Sequence, residues 1–211
     1  MKSQSCRHNR RAQRGFSMLE ILVTILILLL GLLGLAGLQT RAHTAELESY
    51  QRAQALILAS KMVDILRANR HTARCFAVTA PTAGTPFLGT TGGGHSSPIS
   101  CALGTTAENA MANALFAELD SDLQGAAEAL SGALVGAMIG ARGCISYDST
   151  TDLLDPVTGA TMNGTGLFTV AVAWQGLNDT VAPSNTCAMG LYGSETKRRV
   201  VVQTFRFART Q

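Results

Sequence analysis

An uninterrupted apolar segment from Ile21 to Leu38 limits what this chain can fold into more than any other feature. The segment has 18 residues, and Thr24 is its only polar member. Apolar sequence of this length is typical of a helix that crosses a membrane. It is longer than the apolar part of a cleaved secretory signal, and Ala36-Gly37-Leu38 is a poor cleavage site for such a signal. Because the sequence has one segment of this kind, we predict a single-pass membrane protein.

Basic residues are concentrated before the apolar segment and predict its orientation. Residues 1–15 contain five bases and no acid: Lys2, Arg7, Arg10, Arg11 and Arg14. Positive charge favours the cytoplasmic side of a membrane helix, so we expect a cytoplasmic N-terminus and a periplasmic body. Without these five, 12 of the 17 Lys and Arg remain against 14 Asp and Glu, which makes the body mildly acidic. This balance excludes a protein that binds nucleic acid through overall positive charge.

Glu20 places a carboxylate at the head of the apolar segment. An acidic side chain costs roughly 2.5–3.5 kcal/mol at the centre of a membrane helix and somewhat less near its ends, so we expect it to have a partner. Cleavage between Gly15 and Phe16 would create an amine four residues before Glu20. Within one helix the geometry is unfavourable. Between two packed helices the amine and the carboxylate would attract strongly and set the axial register.

The sequence Arg14-Gly15-Phe16-Ser17-Met18-Leu19-Glu20, followed at once by the apolar segment, resembles the class III signal of type IV prepilins. The resemblance implies that residues 1–15 are a leader and that a prepilin peptidase cleaves between Gly15 and Phe16. It further implies N-methylation of Phe16 and a register role for Glu20. It places the protein first in the inner membrane, where lipid surrounds the apolar helix. An inner-membrane assembly platform would then incorporate it, together with other major and minor pilins, into a surface pilus.

A long helix is predicted to continue beyond the membrane. From Gln39 to about His71 the sequence has no proline or glycine, and good helix formers dominate. Apolar residues recur there at helical spacing: Leu47, Ala55, Leu58, Ala59, Met62, Val63, Ile65 and Leu66. We predict a transmembrane, fibre-core helix over 16–38, an amphipathic continuation over 39–72, and a globular head over 73–211. Together with the resemblance, this is an α+β, pilin-like fold whose head contains a small antiparallel sheet.

Three glycines interrupt the apolar segment, at Gly31, Gly34 and Gly37. Each weakens a helix by about 1 kcal/mol relative to alanine. They fit close packing between membrane helices. They equally fit a segment that stretches when the subunit leaves lipid for a fibre, and the sequence leaves both interpretations open.

A second resemblance covers residues 55–69, which read ALILASKMVDILRAN. This stretch is similar to the end of the first helix in PilV-type minor pilins, the type IV pilus modification proteins. Those proteins carry an acid, an arginine and an Arg-Ala-Asn ending near this point, and Ile65 stands where an arginine is frequent. The resemblance implies a minor pilin.

The head is predicted to begin with loops and helices and to end with strands. Residues 72–106 are rich in Gly, Thr, Ser and Pro and predict a long loop. We predict helices over 107–123 and 126–139, the second weakened by Gly132 and Gly136. Strands are predicted over 143–147, 167–174 and 199–207, the last two as an antiparallel pair.

Five cysteines are present, and Cys6 would be lost with the leader. Cys75, Cys101, Cys144 and Cys187 remain in a body outside the cytoplasm, where disulfides are favoured. Of the three possible pairings we predict Cys75–Cys101 and Cys144–Cys187, each of which closes a loop poor in apolar residues. A zinc site is the alternative, but no Cys-x-x-Cys spacing supports it.

No pattern of catalytic or cofactor-binding residues stands out. The sequence lacks His-Glu-x-x-His and Gly-x-Ser-x-Gly, so we predict no enzyme, no cofactor and no metal. Asp148, Asp152 and Asp155 could hold calcium but lack the alternating ligand spacing of known loops. The basic run Lys197-Arg198-Arg199 could serve DNA binding, although a charged strand start is the favoured interpretation.

These features together predict a minor pilin, a low-copy structural subunit that takes part in type IV pilus assembly or priming. The alternative is a minor pseudopilin of a type II secretion system, because the signal would look the same. A further alternative is a binding module on the pilus, either an adhesin that uses loop 72–106 or 148–166 or a DNA-binding module, although nucleic acid is not the expected partner.

Overall fold

The computed structural model describes residues 16–89, 102–125, 129–130, 133–134 and 138–207. The chain divides into two units, residues 1–45 and 46–211. Helix α1, Met18–Ala68, contributes residues to both units. A four-residue helix, an 18-residue helix, two short hairpins and a four-stranded sheet follow among the described residues of the second unit.

The first unit consists, in its described part, of the N-terminal portion of α1. Its apolar side chains are exposed along the whole segment, including Ile21, Leu28 and Leu38. The hydroxyl of Thr24 donates to the carbonyl of Ile21 at 2.8 Å. The one polar residue of the apolar segment therefore satisfies its own donor and brings no unpaired hydroxyl into a hydrocarbon environment.

The second unit adds the remaining elements. They are α2 (Ala73–Phe76), β1 (Leu88–Gly89), α3 (Thr106–Leu123), β2 (Ala129–Leu130), β3 (Ala133–Leu134), β4 (Ile139–Asp148), β5 (Leu153–Leu154), β6 (Thr161–Met162), β7 (Leu167–Gln175) and β8 (Arg198–Phe205). The main sheet has the order β1-β4-β7-β8, and all its pairs are antiparallel. Strands β2 and β3 form one hairpin, and β5 and β6 another.

The core of the second unit lies between α1, α3 and one face of the sheet. Ala55, Ala59, Met62 and Leu66 of α1 are all buried there. Gly143 of β4 permits the close approach, because a Cβ at this position would lie 2.6 Å from Leu123 Cδ1 and 3.0 Å from Met62 Cε. The long helix therefore packs on a small antiparallel sheet, which confirms the predicted α+β, pilin-like fold.

Local sequence signals explain how α3 begins. Thr105 caps the helix by accepting from the Glu108 backbone N–H, and the Glu108 carboxylate accepts from the Thr105 N–H at 2.8 Å. This reciprocal pair is a capping box. The predicted helix over 107–123 is confirmed, and its start lies at Thr106.

The strands predicted over 143–147 and 167–174 are confirmed within β4 and β7, and the strand predicted over 199–207 is confirmed as β8, which ends at Phe205. The helix predicted over 126–139 is wrong. The described residues of that stretch form β2, β3 and the start of β4, while residues 126–128, 131–132 and 135–137 lie outside the described part. The sequence between β2 and β3 is Ser-Gly, a pair that favours a turn, and strand pairing outweighs the helix propensity of the alanines.

The long loop predicted over 72–106 also contains regular structure. Helix α2 and the edge strand β1 both fall within it, and residues 90–101 lie outside the described part. The N–H of Gly89 donates to the Asp120 carboxylate at 2.7 Å, which ties β1 to α3. These elements are too short for their sequence pattern to reveal them.

A disulfide joins Cys144 of β4 to Cys187. The two cysteines are 43 residues apart in sequence and 5.8 Å apart between Cα atoms. Closing a loop of this length contributes roughly 4 kcal/mol on the chain-entropy account. Cys75 is also disulfide-bonded, and Cys101, the partner expected for it, lies outside the described residues.

Candidate functional site

The N-terminal end of α1 carries the residues that the sequence singled out. Phe16 and Ser17 precede the helix in extended or irregular backbone, and the helix begins at Met18. The carbonyl of Ser17 accepts from the Glu20 N–H at 3.0 Å, and the Ser17 hydroxyl accepts from the Leu19 N–H at 3.3 Å. Ser17 therefore satisfies donors that the first turn of a helix leaves free.

Glu20 is exposed in the first turn of α1. Within the described part of the chain its side chain has no hydrogen bond and no ion pair. An acid near a helix N-terminus is favoured by the helix dipole, but a carboxylate that enters a low-dielectric environment still needs a counter-charge. A single copy leaves this carboxylate available to another molecule. Gly15 lies outside the described residues.

Phe16 is the first described residue, and 80% of its surface is exposed. No aromatic contact to it occurs among the described residues. A new N-terminus at this position would be accessible for methylation. Cleavage between Gly15 and Phe16, methylation of Phe16 and the register role of Glu20 remain predictions.

The three glycines of the apolar segment lie inside continuous helix. A Cβ at Gly31, Gly34 or Gly37 would meet no atom of the described residues within 4 Å. Packing against this part of the chain therefore does not require their small size. Both interpretations of the glycines, close approach of a second helix and a segment that can stretch, remain predictions.

The apolar part of α1 is long and apolar enough to cross a membrane, judged by length and composition alone. It lies near the N-terminus, and none of its most apolar window is buried against the rest of the protein. Buried core helices of soluble proteins do not leave such a surface exposed. The segment therefore fits a membrane anchor.

The basic run Lys197-Arg198-Arg199 is largely committed to internal contacts. The Arg198 side chain is 1% exposed, pairs with Glu195 at 2.6 Å, and donates to the carbonyls of Asn185, Cys187 and Pro183. Arg198 therefore stabilises the fold of the head, and its guanidinium is buried rather than presented on the surface.

Arg199, the next residue of the run, connects the sheet to α1. Its guanidinium pairs with Glu48 at 3.2 Å and donates to the carbonyl of Asn178 at 2.6 Å. The same Glu48 carboxylate accepts from the backbone N–H groups of Leu177 and Asn178. Two of the three bases are therefore used inside the head, which favours the structural interpretation of this run.

The three aspartates considered for calcium each accept hydrogen bonds within their own loop. Asp148 caps the turn Ser149–Thr151 by accepting from the Thr150 N–H. Asp152 accepts from the Tyr147 hydroxyl and from the backbone N–H groups of Thr165 and Gly166. These bonds order the loop 148–166. Among the described residues, no cluster of three or more His, Cys, Asp or Glu could hold a metal ion.

This network predicts acid sensitivity of the head. Burial raises the pKa of Asp152, but the donors of Tyr147, Gly166 and Thr165 lower it more, so the net pKa is below its usual value. A carboxyl with a lowered folded-state pKa stabilises the fold above its unfolded pKa, about 4, and loses that contribution as pH falls through the folded value.

We therefore expect the Asp152→Asn substitution to lower the free energy of unfolding most at neutral pH and progressively less below about pH 4. Denaturant unfolding of wild type and variant across this range measures the difference. Asp64→Asn is the control, because Asp64 is exposed and has no hydrogen bond among the described residues. A difference between wild type and Asp152→Asn that does not change with pH contradicts the assignment.

An open groove of about 850 Å³ lies between α1 and α3. Apolar side chains line most of it, including Leu56, Ile57, Met111 and Leu115. Ile57 is 65% exposed and Met111 is 57% exposed. Nearby, Lys61 of α1 bridges Glu118 and Asp122 of α3, which fixes the separation of the two helices. The groove is apolar surface that a neighbouring molecule can cover.

Comparison with known proteins identifies the N-terminal segment. Residues 10–36 match the family described as the prokaryotic N-terminal methylation motif. Searches of curated proteins and of solved structures found no match to the chain. The family match supports a type IV pilin-like protein, either a pilin or a pseudopilin, and with it a structural role and processing by a prepilin peptidase.

Proposed function

We propose that this chain is a minor pilin, a low-copy structural subunit that takes part in the assembly or priming of a type IV pilus. The proposal rests on three features that occur together near the N-terminus. A methylation motif covers residues 10–36, and an exposed apolar helix lies in the same segment. The first turn of that helix holds the carboxylate of Glu20, which has no partner among the described residues.

The proposed sequence of events follows from the residues. The basic leader keeps the N-terminus in the cytoplasm while the apolar helix spans the inner membrane. Prepilin peptidase cleaves between Gly15 and Phe16, and Phe16 is methylated. The amine remains cationic after addition of one methyl group, so it can still pair with a carboxylate. Pairing with Glu20 of a neighbouring subunit would set the stagger between two helices in the fibre.

Packing of the exposed apolar helices would hold the fibre together. In the first unit, helix α1 exposes large apolar side chains. In a fibre, neighbouring helices would shield these side chains from water. The apolar groove between α1 and α3 offers further surface for contact between heads. The role of minor rather than major subunit is supported by the similarity of residues 55–69 to PilV-type proteins.

The alternative is a minor pseudopilin of a type II secretion system, because the methylation motif is compatible with both. A deletion strain separates the two functions. Loss of surface pili with normal export of secreted enzymes supports the pilus, and the reverse supports the secretion system. Complementation with the wild-type chain is the control for both readouts.

Mass spectrometry of the N-terminal peptide tests the processing step. We expect the mature protein to begin at Phe16 and to carry one additional methyl group on the N-terminal amine. The same protein from a strain that lacks prepilin peptidase should retain residues 1–15. A mature N-terminus anywhere else contradicts the proposed function at its first step.

A further inference from the structure

Arginines near the C-terminal end of α1 lie over aromatic rings of the head. The guanidinium carbon of Arg67 is 5.3 Å from the ring centroid of Phe205, and that of Arg74 is 5.4 Å from the centroid of Tyr147. Arg70 makes the same kind of contact with Phe207, at 5.4 Å. Cations at this distance are attracted to the face of the ring.

The rings beneath these arginines form one cluster. Phe168 is at its centre, with ring centroids 4.6 Å from Tyr147, 5.4 Å from Phe205 and 5.3 Å from Phe207. Phe205 and Phe207 are themselves in edge contact. The guanidinium groups of Arg67 and Arg74 therefore lie over neighbouring parts of a single surface. We call this surface, Arg67 and Arg74 with the four rings beneath them, the arginine–aromatic patch.

Arg67 and Arg74 carry charge that the described chain does not neutralise. Both residues are exposed, and neither guanidinium has an ion pair or hydrogen bond within the described residues. Asp64 precedes Arg67 by one helical turn but makes no ion pair with it there. Asp152, near Tyr147, is already bound by the donors of its own loop.

The aromatic contacts restrict the two arginines before any partner arrives. A free arginine loses rotamer freedom when it is fixed, so a side chain already held over a ring loses less of it on binding. The planar guanidinium then presents paired N–H donors that match a carboxylate or phosphate group. The patch therefore has the properties of a binding surface for an anion.

We propose that the arginine–aromatic patch binds carboxylates on an acidic segment of a neighbouring subunit, which deepens the proposed function and rests on it. Nucleic acid shares the anionic chemistry but is disfavoured, because Phe168, Phe205 and Phe207 are buried and their faces are closed to stacking with bases.

The test measures binding by the full-length, detergent-solubilised protein at low salt. The probes are a fluorescently labelled peptide of alternating Glu and Ala, a matched peptide of alternating Gln and Ala, and a labelled DNA duplex. We expect the acidic peptide to bind in a salt-sensitive manner and more tightly than the other two. The double variant Arg67→Gln, Arg74→Gln should bind it about tenfold more weakly, since two exposed charge pairs are lost.

Two further variants separate binding from folding. Arg67→Lys with Arg74→Lys keeps the charge and should give an intermediate affinity, because the paired donors are lost. Arg206→Gln is the matched control, since Arg206 is exposed and has no ring contact among the described residues. Circular dichroism checks that every variant retains its secondary structure.

Equal affinity of wild type and the double Gln variant for the acidic peptide would overturn the proposal, as would failure of the peptide to bind. Tighter binding of the duplex through the same arginines would assign the patch to nucleic acid instead. Wild type and variants are compared with the same N-terminus, so the difference between them reports the patch whether or not residues 1–15 are retained, and the N-terminal mass measurement tests the proposed function separately.

Discussion

Replacing Arg198 by methionine is expected to lower the free energy of unfolding by about 3 kcal/mol. Methionine fills a similar volume but provides no donor. Arg198 donates to the carbonyls of Pro183, Asn185 and Cys187, and these acceptors would lose a charged partner in a buried location. Glu195 would also lose its ion pair, but its side chain is 36% exposed and can be hydrated again.

The effect is measurable on the full-length protein in detergent. Trp174, the single tryptophan, is buried on β7 beside the strand that Arg198 begins, so its fluorescence reports unfolding of the sheet. Urea titration of wild type and variant gives the difference in stability. Arg198→Lys should recover part of the loss, because it restores the charge but cannot reach all the acceptors at once.

The substitution Arg199→Met, at the next position, provides a comparison for the loss of stability at Arg198. Arg199 pairs with Glu48 at a partly exposed position, where such a pair contributes about 1 kcal/mol or less. We therefore expect the variant at Arg198 to be clearly less stable than the variant at Arg199. Equal losses at both positions would show that Arg198 does not organise the connection between β7 and β8.

Arg198 also shows where charge patterns mislead. In the sequence it is the middle of a basic run, and such runs are usually exposed. Its acceptors are backbone carbonyls of the connection from Gly176 to Lys197, and no sequence pattern reveals which way carbonyls point. The burial of this arginine could therefore be recognised only from the three-dimensional structure.

The elements that could be predicted are those with strong local signals. The apolar segment, the absence of proline and glycine from Gln39 to His71, and the alternation in β7 each extend over several residues. The stretch 126–139 has no comparable signal, because its alanines favour a helix while its pairing partners favour strands. Local pairing of β2 with β3 inside the stretch, and pairing of Ile139 with the distant Gln175, decided the outcome.

The two candidate sites likewise differ in whether their residues are adjacent in the sequence. The motif around Gly15, Phe16 and Glu20 is contiguous, and so it can be recognised from sequence. The arginine–aromatic patch joins Arg67 to Phe205, a residue more than a hundred positions away in the chain. No spacing rule connects such residues, and only the packing of α1 against the sheet brings them together.

Replacing Glu20 by alanine is expected to leave cleavage and methylation intact and to reduce incorporation into pili at least tenfold. The proposed pair between this carboxylate and the Phe16 amine of a neighbour forms in a low-dielectric fibre core, where loss of one partner leaves a buried, uncompensated charge. Breaking such a pair costs roughly 3–5 kcal/mol, and 1.4 kcal/mol already corresponds to a factor of ten. Immunoblots of sheared pili against whole-cell membranes measure incorporation, and mass spectrometry of the N-terminal peptide measures processing.

Three variants distinguish charge from packing at this position. Glu20→Gln keeps the size of the side chain and removes the charge, so it should fail nearly as severely as alanine. Glu20→Asp keeps the charge on a shorter side chain and should retain part of the incorporation. Glu20→Leu suits the hydrocarbon better than the native acid, so it should accumulate normally in the membrane and still be missing from pili. The exposed carboxylate has no partner among the described residues of its own chain, and the proposal assigns its partner to a neighbouring subunit. Normal incorporation of the alanine and glutamine variants would remove the carboxylate from the assembly mechanism altogether.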